Sequence, residues 1–94
     1  TMSASLHVRI EGVVQGVGFR WFVQQEAVRL GAAGWVRILP DGAVELAAVG
    51  EPAAIAALRD AVGVGPAGAR VTALHELGTL PDALPHPFEI RRSR

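Results

Sequence analysis

The sequence predicts an α+β fold: an antiparallel sheet with two helices on one face, in the order βαββαβ, plus a short C-terminal strand. Three observations predict it. A period-2 apolar pattern over Leu6, Val8 and Ile10 gives way to a helical period from Trp21 to Leu30. A second alternating run, Gly34 to Leu39, is followed by Pro40-Asp41-Gly42 and a third run from Ala43 to Val49, the pattern of a hairpin. Gly50-Glu51-Pro52 then opens an alanine-rich helical stretch, after which strand-like composition returns.

Each element follows from local chemistry. The first strand spans roughly Leu6 to Val13, with His7, Arg9 and Glu11 on the face opposite its apolar residues. The first helix spans roughly Phe19 to Leu30, with Val23, Ala27 and Leu30 along one side and Gly31 as its stop. In the second strand Trp35 and Arg37 share one face, Val36 and Ile38 the other. Proline presets the first dihedral of the following turn and Gly42 takes its left-handed position. The third strand is therefore antiparallel to the second.

In the second helix proline is tolerated in the first turn and Glu51 suits the positive end. That helix runs to about Val62 and buries Ile55, Leu58 and Val62. Gly63 to Gly68 is a loop. Arg70 to Leu77 is a fourth strand of less regular alternation, and the proline-containing stretch from Gly78 to Pro87 is a loop. Phe88 and Ile90 alternate with Glu89 and Arg91 in a short last strand. The order is that of a split βαβ, or ferredoxin-like, sandwich, a fold that serves many unrelated activities.

At 94 residues the chain is expected to form one domain over 1–94, with 1–5 and 92–94 as flexible ends. Half the residues are apolar (50%) and 19% charged, a globular composition. Net charge is zero, so no overall field draws the chain to nucleic acid or membrane, and neither is expected as a partner. The absence of cysteine removes disulfides, thiol catalysis and thiolate metal sites from consideration. No apolar run approaches a membrane span and no signal-peptide core is present, so a cytoplasmic monomer is expected.

The chemistry concentrates between the first strand and the first helix, in Gly12-Val13-Val14-Gln15-Gly16-Val17-Gly18-Phe19-Arg20. A Gly-rich strand-to-helix turn can aim successive backbone N–H groups at one point, where the helix N-terminus adds positive potential. Arg20 adds a fork of donors suited to phosphate or carboxylate oxygens. A cation in a first helical turn works against the macrodipole and calls for an anionic partner. Read this way, the turn is an anion cradle; it can equally be an ordinary tight turn with a surface arginine. It is not a nucleotide P-loop, which ends in Gly-Lys-Ser/Thr. Nor is it a dinucleotide fingerprint, because Trp21 stands where the third glycine belongs.

The string Gly12-x-Val14-Gln15-Gly16-Val17-x-Phe19-Arg20 resembles the first signature of the acylphosphatase family. Gly34-Trp35-Val36-Arg37-Ile38-Leu39-Pro40-Asp41-Gly42-x-Val44-Glu45 resembles the second, at the expected distance downstream. The resemblance covers nearly the whole chain and implies the ferredoxin-like fold. It also implies hydrolysis of the carboxyl–phosphate bond of acyl phosphates, with no metal, no cofactor and no covalent enzyme intermediate. Arg20 corresponds to the family's catalytic, phosphate-binding arginine, and the N–H groups of Gln15, Gly16, Val17, Gly18 and Phe19 complete the cradle.

Ile38 occupies the position of the asparagine that orients the attacking water in the family. An isoleucine side chain neither donates nor accepts a hydrogen bond. The expected partners are a small-molecule acyl phosphate and inorganic phosphate as product or inhibitor, with turnover impaired by Ile38. The alternative is a module that binds acyl or carbamoyl phosphate, or another anion, without hydrolysis.

Other residues carry blander expectations. Trp35, in a strand, suits packing. His7, His75 and His86 are scattered without a carboxylate or histidine at ligand spacing. Ser3, Ser5 and Ser93 have no base partner nearby in sequence. Arg37, Glu45 and Arg59 are expected on solvated faces. RNA binding on the open sheet face ranks low, for want of an RNP-like string and a basic charge.

Overall fold

A computed structural model describes residues 3–14, 18–80 and 83–91. The elements are β1 (Ala4–Val13), α1 (Phe19–Leu30), β2 (Ala33–Ile38), β3 (Val44–Gly50), α2 (Pro52–Val64), β4 (Arg70–Glu76) and β5 (Glu89–Ile90). The sheet order is β4-β1-β3-β2-β5. β1 pairs antiparallel with β3 and β4, and β2 antiparallel with β3. β5 runs parallel to β2, with Trp35 opposite Glu89 and Val36 opposite Ile90. The four long strands thus form the expected antiparallel sheet, and the short fifth strand makes it mixed.

One apolar layer explains the sandwich. Leu6, Val8 and Ile10 of β1, Val36 of β2 and Val44, Leu46 and Ala48 of β3 face the helices. They meet Phe19, Val23 and Ala27 of α1 and Ile55, Leu58 and Val62 of α2 in a single buried cluster, closed by Phe88. The buried positions of α2 are those its period predicts. In α1 the predicted Leu30 is only half-buried and Phe19 takes a core place instead. Gly31 ends α1 as expected, its N–H donating to the Val28 carbonyl oxygen at 3.1 Å.

β1 begins earlier than its alternation predicts. Ala4 and Ser5, expected in a flexible end, pair with Gly50 and Val49 of β3. Gly34 permits a close approach in the sheet: its φ is 142°, and a Cβ there would overlap the Ala47 carbonyl oxygen across the ladder.

The face away from the helices is not uniformly solvated. Glu45, expected on a solvated face, is only 8% exposed. The alternation does put it opposite the core, but neighbouring side chains cover it there. His7 of β1 lies with Nε2 2.7 Å from Glu45 Oε2 and Nδ1 2.9 Å from the Thr79 carbonyl oxygen. Arg37 of β2 donates from Nε to Glu45 Oε1 at 2.9 Å. Trp35 is buried on the same face, with the Arg37 and Arg91 guanidinium carbons 4.9 and 5.2 Å from its ring centroid.

Burial pushes the Glu45 carboxyl up, but the hydrogen bonds from His7 and Arg37 outweigh it and hold the group below its ordinary value. Farther along β1, Arg9 pairs with Glu11 and with Asp41 of the β2–β3 turn. Arg59 does lie exposed, paired with Glu76. Among the described residues, no helix is long and apolar enough to cross a membrane.

Candidate active site

β1 delivers the chain to the edge of the helical layer at Val14, which is buried, and α1 starts at Phe19. Gly18 precedes α1 as its N-cap with φ 74° and ψ 24°, a left-handed conformation that glycine adopts without strain. It offers no side chain to the first N–H groups of the helix, and no acidic residue stands in the first turn. Gly18 itself thus leaves the first-turn donors without a side-chain cap. The Gly18 carbonyl oxygen already accepts from the Phe22 N–H at 2.9 Å, so the helix is regular from its first turn.

A cavity of about 260 Å³ opens at this helix start. Gly18, Phe19 and Arg20 line it. Ile38, the last residue of β2, also lines it. Two residues predicted to meet at one site, Arg20 and Ile38, are thus brought together from separate elements. Gln15, Gly16 and Val17, the remaining residues of the expected cradle, lie outside the described residues. The Phe19 side chain is buried in the core, which leaves its backbone N–H as the group available to a ligand.

Arg20 and Arg70 differ from the other described arginines in having no carboxylate partner among the described residues, and of the two only Arg20 is half-buried, Arg70 being exposed. Arg9, Arg29, Arg37, Arg59 and Arg91 each pair with a carboxylate. Arg20, half-buried, has no carboxylate partner among the described residues. Such a half-buried guanidinium, with no counter-charge among the described residues and beside a helix start, has donor geometry suited to an anion.

Three lining residues escaped the sequence reading: Val14, Trp21 and Ile90. Trp21 fits the helical period as an ordinary surface residue, and only its exposure (61%) makes it conspicuous. Ile90 reaches the cavity because β5 docks beside β2. Among the described residues, no group of three potential metal-ligating side chains gathers.

The fold is a ferredoxin-like α+β sandwich, with a cavity where β1 meets α1. The acylphosphatase family model matches residues 6–90, and the chain belongs to the acylphosphatase family. It is 49% identical to an acylphosphatase of Thermococcus kodakarensis over 78 residues, 83% of this chain and 86% of that protein. It is 48% identical to one of Gloeobacter violaceus over 87 residues, 93% and 92% of the two chains. The crystal structure of acylphosphatase from Bacillus subtilis superposes with a TM-score of 0.80 at 38% identity, covering 96% of this chain and 99% of that one.

Proposed function

We propose that this chain binds acyl phosphates through Arg20 and the amides at the start of α1, and hydrolyses them slowly. The observation that carries the reading is the half-buried Arg20 without a carboxylate partner among the described residues, in the lining of a cavity at an uncapped helix start. Phosphoryl transfer asks a protein mainly to position the reactants and to stabilise charge on the phosphoryl oxygens. Arg20 and the N–H groups of Phe19 and its neighbours supply the second. Water attacks phosphorus in line with the carboxyl oxygen. The P–O bond to that oxygen breaks, the carboxylate leaves with the electron pair, and a phosphate oxygen takes the water's proton.

Ile38 faces the same cavity with a side chain that cannot hold that water. Loss of in-line positioning costs on the order of 10²-fold or more in rate. Steady-state hydrolysis of an aryl acyl phosphate by this chain and by its Ile38→Asn variant tests the reading. A rise in kcat of that order with little change in KM is expected. Equal rates would mean that another group holds the water, and the role of position 38 would fail. A chain inactive with either residue, whose phosphate affinity disappears on Arg20→Ala, would be an anion-binding module instead.

A further inference from the structure

We infer that the cavity beside Arg20 selects acyl phosphates whose acyl group is apolar and compact, a single ring or a short branched chain, and that Trp21 and Ile90 form the selecting wall. The inference rests on the phosphate-binding reading of Arg20 and adds the identity of the group attached to the phosphate.

Few large apolar side chains are exposed among the described residues, and two of them, Trp21 (61%) and Ile90 (38%), line this one cavity. They come from α1 and β5, which are distant in sequence, so helical or strand period alone does not explain the pairing. Ile38 extends the apolar surface where a hydrogen-bonding group is expected. A phosphate bound at Arg20 would therefore have the apolar side chains of Trp21, Ile38 and Ile90 in the lining around it.

Water on that surface is displaced favourably by an apolar substituent and unfavourably by a charged one. Size sets the other limit. At about 260 Å³ the cavity falls below the roughly 300–1,000 Å³ of pockets for drug-sized ligands. It suits a phosphate with one compact group and leaves a long chain in solvent.

Calorimetric titration of the chain with inorganic phosphate, methylphosphonate and phenylphosphonate tests this without relying on turnover. Phenylphosphonate is expected to bind roughly tenfold more tightly than methylphosphonate, as partial burial of one ring predicts. That ratio should fall to about twofold or less in Trp21→Ala and drop measurably in Ile90→Thr. Both residues are exposed, and circular dichroism verifies that the variants fold. Arg20→Ala should abolish binding of all three ligands. If the two phosphonates bind equally to the parent chain, or the ratio survives both wall substitutions, the selecting wall is refuted while anion binding stands. If none of the three ligands binds, the phosphate-binding reading fails and the wall falls with it.

Discussion

Arg20 and Ile38 line the same cavity, and they differ in what a neighbouring ligand would gain from them. The guanidinium offers charge and fixed donor geometry; the isoleucine offers only shape and apolar area. Gly18 stands where α1 starts. Its positive φ makes it intolerant of a side chain even though open space surrounds it. Gly18→Ala is expected to cost about 1 kcal/mol of stability through backbone strain alone. Gly63 lies inside α2, where an added Cβ also meets nothing within 4 Å. Gly63→Ala should therefore shift stability in the opposite direction, by roughly 0.5–1 kcal/mol. Urea denaturation midpoints of the two variants check both signs. Arg20 and Ile38 were legible in the sequence because the signature strings run through them. Trp21 was not: an aromatic in a helical period says nothing of whether its face meets the core or a cavity mouth.

At the scale of elements, Glu45 joins three strands. His7 of β1 and Arg37 of β2 both donate to this one carboxylate of β3. The two ring nitrogens of His7 lie beside Glu45 Oε2 and the Thr79 carbonyl oxygen, so the ring ties Glu45 to the segment after β4. Glu45→Gln replaces the charge and leaves His7 and Arg37 facing a poor acceptor, so a loss of about 3 kcal/mol is expected at neutral pH. The pH dependence follows from the same contacts. The Glu45 carboxyl is held below its ordinary value of 4.5 in the folded chain. Its stabilisation is therefore present above that value and is lost as pH falls through the lower folded value. Denaturation midpoints measured from pH 6 down to pH 2 should fall less steeply in Glu45→Gln than in the parent chain; parallel profiles would remove Glu45 from the acid response. Alternation placed Glu45 opposite the core correctly. It could not show that the face is covered, because the cover comes from Trp35, His7 and the segment that follows β4.

At the scale of the whole molecule, the segment after β4 binds the sheet together. Leu77 donates its N–H to the His7 carbonyl oxygen, Gly34 to that of Pro85 and Arg91 to that of Val36. Phe88, 2% exposed, plugs the core between these ties. Phe88→Ala is expected to cost roughly 3–5 kcal/mol. It should also release β5, so amide exchange of Arg91, whose N–H pairs with Val36, should accelerate more than that of β1. Uniform acceleration would show that β5 has no independent hold. The order of the first six elements was legible because each carries its own period and turn chemistry. The parallel pairing of β5 was not, since two residues have no period and the partner strand lies far back in the chain. That late pairing has a consequence for synthesis. Chains emerge and fold from the N-terminal side, so Arg20 and the start of α1 leave the ribosome long before Ile90. A nascent chain exposed through Glu76 carries Arg20, Trp21 and Ile38 but not Ile90. The lining of the cavity is therefore completed only by the last strand to be made.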